Sequence, residues 1–384
     1  MTPSVEPLAV DALLAAAAAK AGHDRFGDDW FLEPLGMLVE SLNTEARLSE
    51  MGRAMAEHRL TALLVDRLRL RRFQEEHPEV LDVDVRVAAV ICGLPRTGST
   101  LLHRMLAVSP QLTATLGWEV SFPLPFPGES PAAELRKEKA KEMMEMFLGL
   151  SPEFGDIHTV VWDEAEEEVL LLDRTFTTMG FDSYYWVPTY GVWLRSFDQS
   201  KAYGELREWL QALQWQDPSR AGRQWVLKSP HHLTAVDTVL DEFPGAEIVM
   251  THRSTTSAVP SYASMCRTMM SMQSDEVDPV QVGRYWSDRF RECLTKFVEV
   301  RARRPDRFVD VPFLSTVEDP VGAAVRVLGE LGFSVGDGDR AAFERYREQN
   351  EAERHGQHAY TPEDFGLSED QLERDFAFYT EVYL

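Results

Sequence analysis

One run of twenty residues limits the folds open to this chain: Val87-Ala-Ala-Val-Ile-Cys-Gly-Leu-Pro-Arg-Thr-Gly-Ser-Thr-Leu-Leu-His-Arg-Met-Leu106. It reads as a buried strand, a tight glycine turn and the first turns of a helix. That order aims backbone N–H groups and a helix N-terminus at one point, where a phosphate is favoured. A nucleotide-hydrolysing loop would read G-x-x-x-x-G-K-[ST]. Here Gly93-Leu94-Pro95-Arg96-Thr97-Gly98-Ser99-Thr100 keeps both glycines and the threonine but puts Ser99 where the lysine belongs. Arg96, inside the turn, is the loop's cation. The loop is therefore suited to a phosphate but lacks the usual grip on a β/γ-phosphate pair.

The pattern after residue 86 supports a parallel sheet. Short apolar runs near 86–91, 112–116, 224–228, 246–251 and 307–311 alternate with helical periodicity, the mark of strands joined by helical crossovers. We expect an α/β fold: a P-loop-like parallel sheet of about five strands, flanked by helices. Residues 1–80 read as an N-terminal helical cap and 120–220 as a helical insertion. Asp319-Pro320 opens a further helix, and 367–384 forms a C-terminal helix on the same domain. Ligands of such sheets sit beyond the carboxyl ends of the strands. Gly93–Arg96, Glu119, Lys228 and Arg253 all fall at or just after such an end.

Composition narrows the partners. A net charge of −24 disfavours nucleic acid and anionic membrane surfaces. The apolar stretch Leu13–Ala19 is too short to span a bilayer and has no basic flank before it. Cys92, Cys266 and Cys293 have no metal-ligand spacing and fit a reducing compartment, so we expect a cytoplasmic protein without a metal. A homodimer is compatible with the sequence but not specified by it.

The Pro95-Arg96-Thr97-Gly98-Ser99-Thr100 variant, following an apolar strand, resembles the 5′-phosphosulfate loop of sulfotransferases that use 3′-phosphoadenosine 5′-phosphosulfate (PAPS) and release 3′-phosphoadenosine 5′-phosphate (PAP). The resemblance covers residues 86–366. It is to the broad bacterial sulfotransferase family and, more distantly, to the tyrosylprotein sulfotransferases. It implies that Gly93, Pro95, Arg96, Thr97, Gly98, Ser99 and Thr100 cradle the 5′-phosphosulfate. Arg253, followed eight residues later by Ser261, is similar to the family's 3′-phosphate motif. Arg354-His355-Gly356 is a looser match to an element that closes over the same phosphate; a solvated helix end is the alternative reading.

Sulfuryl transfer is an in-line displacement at sulfur, so it needs a base for the acceptor hydroxyl and positive charge at the leaving phosphate. By resemblance, Lys228 and Arg96 supply the charge and Glu119 the base; a structural lysine and an ion-paired glutamate are the plain alternatives. His231 and His232 offer a second base or an acceptor contact, or else cap and pack a helix start. His158, Tyr185 and Trp186 are further acceptor-side candidates, the aromatics otherwise being core. Glu164 and Glu166–Glu168 read as a solvated helix face, with Glu167 able to turn toward the acceptor. The basic run Arg67–Arg72 likewise reads as a solvated face. The acceptor would be a hydroxyl of a small molecule, lipid or glycan. Two other functions fit the loop: a P-loop kinase or nucleotide hydrolase, which requires a strand-end aspartate for magnesium, and a non-catalytic nucleotide-binding protein of the same fold.

Overall fold

The computed structural model describes residues 6–129, 133–150, 161–350 and 361–384. Five strands form one parallel sheet: β1 (Val87–Gly93), β2 (Leu112–Thr113), β3 (Gln224–Lys228), β4 (Glu247–His252) and β5 (Phe308–Pro312), in the order β2-β3-β1-β4-β5. Every residue of β1 is buried. A central strand covered on both faces has no polar side, hence its unbroken apolar run.

Alternation along the strands assigns the two faces. Ala89, Ile91, Val226, Val249, Val309 and Val311 pack beneath the helices Ser99–Ala107 and Pro320–Glu330. Val90, Cys92, Leu227, Ile248 and Met250 face the opposite layer. That layer is built from the helices Ser200–Gln216, Val236–Glu242, Thr255–Ser271 and Pro279–Arg303, with Glu369–Tyr383 at the C-terminus. Helix starts follow local chemistry. Asp319 accepts from Gly322 N–H at 2.9 Å, with Pro320 opening the helix, and Asp278 accepts from Val280 N–H at 2.9 Å. Both carboxylates satisfy N–H groups that the helix itself leaves over.

The N-terminal helices Val10–Ala21, Leu32–Thr44 and Glu50–Glu76 do not stand apart. Their apolar residues Leu35, Leu38, Leu60 and Leu64 share a core with Phe176, Phe181, Tyr185 and Tyr190 of the insertion. The Arg67–Arg72 run departs from a solvated face for the same reason. Arg67 is fully buried, ion-paired to Glu205 and donating to Arg174 O at 2.8 Å. Arg71 reaches Glu208 at 2.6 Å. Buried cations of this kind persist only when paired, and here the pairs tie the first helices to the insertion.

Candidate active site

Three strand ends converge on the glycine loop. Gly93 leaves β1 at φ 148°, and a Cβ there would lie 2.5 Å from Thr251 O, so the β1 and β4 ends meet only because this residue has no side chain. Thr251 Oγ1 donates to Cys92 O at 3.2 Å and lies 2.6 Å from Thr97 Oγ1, which itself donates to Leu94 O at 2.8 Å. Gly98, at φ 79°, turns the chain into the helix Ser99–Ala107. Arg96 adopts φ 69°, a region that costs a residue with a side chain energy. Its carbonyl accepts from Arg253 Nη1 at 2.6 Å. The Arg253 guanidinium also lies 4.2 Å from the centre of the Phe313 ring, just beyond β5. Arg253 thus braces the loop expected to hold one phosphate while its own position follows the end of β4. Ser261 lies two turns into the helix Thr255–Ser271, half-buried.

Lys228 closes β3, next to β1 in the sheet. Its side chain is 1% exposed, and Nζ sits 3.3 Å from Thr100 Oγ1 and 2.6 Å from Glu167 Oε1. The other Glu167 oxygen accepts from Ser229 Oγ at 3.2 Å. Glu168 turns the opposite way. It is fully buried, accepts from Lys228 N–H at 2.9 Å and is paired to His232 Nε2. Burial pushes the Glu168 carboxyl up, but His232 and the Lys228 amide outweigh it and hold it below the usual carboxylate range. His103, in the helix after the loop, is also enclosed. Burial, with the Lys228 charge beside it, brings its imidazole down to about 4.

The run 164–168 is therefore not a solvated helix face. It runs beside the chain that leaves β2, with Leu116 bridged to Ala165 and Glu166 N–H donating to Thr115 O at 2.9 Å, and at Glu168 (φ −71°, ψ −3°) it turns into the helix Val169–Leu172. Passing from a bridged stretch into a helical turn sends the successive carboxylates in different directions. Glu164 meets Arg104 at 2.8 Å, Glu167 meets Lys228, and Glu168 meets His232. Sequence reasoning gave Glu167 only a secondary place. The signal that could have raised it is that a lysine ending a buried strand needs an acid; nothing local names which one.

Glu119 is placed differently from expectation. It is the third residue of the short helix Gly117–Ser121, and its carboxylate turns back to Leu116 N–H at 2.9 Å. Both oxygens lie 2.7 Å from Arg220 Nη2, and both side chains are 4% exposed. Arg220 precedes β3, at the strand end opposite Lys228. The structure pairs Glu119 with that arginine and brings Glu167 to the lysine instead.

The two histidines after Lys228 are core groups. His231 Nδ1 accepts from Met179 N–H at 3.2 Å and Nε2 lies 3.0 Å from Gln199 Oε1; burial holds its pKa far below the ordinary value. His232 is fixed between Glu168 and Tyr203 OH, the latter at 2.8 Å. Neither is exposed. Tyr185 is buried in the core shared with the N-terminal helices, and Trp186 packs edge-on against Tyr285. His158, Arg354, His355 and Gly356 lie outside the described residues. Asp310, the nearest strand-end aspartate, is held by Arg301 at 2.6 and 2.7 Å and by His252 at 2.8 Å. Among the described residues, no helix is long and apolar enough to cross a membrane.

The sulfotransferase family model matches residues 89–337. The chain superposes on sulfotransferase STF1 from Mycobacterium tuberculosis H37Rv with a TM-score of 0.86 and 27% identity, over 97% of this chain and 99% of that one. Sulfotransferase STF9 from Mycobacterium avium shares the fold, with a TM-score of 0.87 and 22% identity over 100% and 98% of the two chains. No curated protein matches. The family match takes in the glycine loop, Lys228 and Arg253 and runs over more than half of the sequence, so the chain belongs to the sulfotransferase family.

Proposed function

We propose that the protein transfers the sulfuryl group of PAPS to a hydroxyl of a small-molecule, lipid or glycan acceptor by in-line displacement. One observation carries this reading: Lys228 Nζ, buried at a strand end, stands 3.3 Å from the hydroxyl of Thr100 in the first turn after the glycine loop. An ammonium beside a phosphate cradle is placed to take up charge on a leaving phosphate. Arg96 and the loop amides would hold the 5′-phosphosulfate. Arg253 and Ser261 would hold the 3′-phosphate, the guanidinium fork being matched to phosphate oxygens.

A magnesium-dependent kinase or hydrolase is the less supported reading. Ser99 replaces the loop lysine, and Asp310 is engaged with Arg301. A thermal-shift titration separates the two. PAP at about a hundredfold above its Kd should stabilise the fold by ~2.7 kcal/mol, a rise of a few degrees for a chain of this size, and should exceed the effect of equimolar ATP with magnesium. The reverse ranking removes the sulfuryl-transfer reading.

A further inference from the structure

Lys228 and Glu167 make an asymmetric pair. The lysine side chain is 1% exposed and the glutamate 21%. The neighbouring acids are turned elsewhere: Glu168 is fully buried against His232 and the Lys228 amide, and Glu166 Oε1 accepts from the Glu167 N–H at 2.9 Å. A buried ammonium needs a counter-charge, and Glu167 supplies it. A donor phosphate arriving at Lys228 would bring a competing and greater negative charge. The ammonium would then serve the donor, and the Glu167 carboxylate, 2.6 Å from Nζ, would be released beside it.

We propose that Glu167 is the general base of the reaction, held by Lys228 until the donor takes its place. This rests on the sulfuryl-transfer reading above. The acceptor O–H bond breaks and its proton passes to the Glu167 carboxylate. The acceptor oxygen forms a bond to sulfur. The bond from sulfur to the bridging oxygen breaks, and its electron pair stays on the 5′-phosphate of PAP, beside Lys228. Ser229 Oγ, 3.2 Å from the second carboxylate oxygen, keeps the side chain in place while Lys228 changes partner. Geometry favours Glu167 over Glu119, whose two oxygens are both taken by Arg220.

The test is Glu167→Gln in the full chain, read in two ways. The amide keeps the shape but cannot take the proton, so PAP release from PAPS in the presence of a panel of phenols, alkanols and water should fall by roughly 10²–10⁴. PAP binding, measured by calorimetry, should instead tighten about 3- to 10-fold, because the carboxylate no longer competes for Lys228. A purely structural glutamate would weaken both. Should the amide variant prove misfolded by circular dichroism, Glu167→Asp keeps the charge one methylene short and should lose turnover without gaining PAP affinity. Wild-type PAP release by a folded Glu167→Gln chain, or PAP binding no tighter than wild type, overturns the assignment. Wild-type protein that fails to bind PAP overturns the donor reading itself, whereas normal PAP binding with undiminished variant turnover removes Glu167 alone.

Discussion

Replacing Arg253 with alanine separates two contributions that the structure joins in one side chain. Nη1 donates to Arg96 O at 2.6 Å and the guanidinium stacks over Phe313 at 4.2 Å. Both contacts brace the loop and exist without ligand. The proposed 3′-phosphate contact is additional. A charge-assisted hydrogen bond contributes about 1.5–3 kcal/mol net, and the exposed side of a cation–π contact about 0.5–1 kcal/mol. The brace acts on every ligand of the loop, so Arg253→Ala should weaken adenosine 5′-phosphate by no more than these two contacts together, about 2–4 kcal/mol or roughly 30- to 900-fold. PAP carries the extra phosphate and should lose a further ~1.5–3 kcal/mol, a 10- to 150-fold larger effect. Isothermal titration of both nucleotides against wild type and variant gives the comparison. Equal losses for the two would mean that Arg253 only braces the loop, and the 3′-phosphate assignment would fall.

Other expectations concern stability. Glu119→Ala leaves the Arg220 guanidinium, 4% exposed, without its main counter-ion. Removing one partner of a buried pair costs about 3–5 kcal/mol; Asp217, 3.3 Å from Arg220 Nε, should keep the loss near the lower figure, and an unchanged urea midpoint would show the pair to be dispensable. His103 makes a pH-dependent contribution. Its folded pKa of about 4 lies below the ordinary 6.5, so between those values the unfolded chain binds the extra proton. Its share of stability is complete above pH 6.5 and is lost as pH falls toward 4, by up to ~3 kcal/mol. A His103→Gln variant should show a flatter decline of urea midpoint over that interval; a decline as steep as wild type would refute the assignment.

What the sequence revealed depended on how local each determinant was. The sheet was legible because β1, β3, β4 and β5 are apolar runs whose burial needs no distant information. The glycine loop was legible because its turn and helix start are written in consecutive residues. β2 proved shorter than the run 112–116 because the chain leaves β3 after Thr113 to bridge Ala165 through Leu116. The carboxylates were the hard part. Glu119 finds its partner 101 residues away and Glu167 finds Lys228 at a separation of 61. A run of acids announces charge, but which cation each one meets is decided by how the insertion folds back on the sheet.

The core that joins Leu35, Leu38, Leu60 and Leu64 to Phe176, Phe181, Tyr185 and Tyr190 makes the first helices and the middle of the chain a single mechanical piece. A chimera that grafts residues 161–200 from a relative would set a foreign surface against native helices and lose its footing. The opening helices would have to travel with the graft.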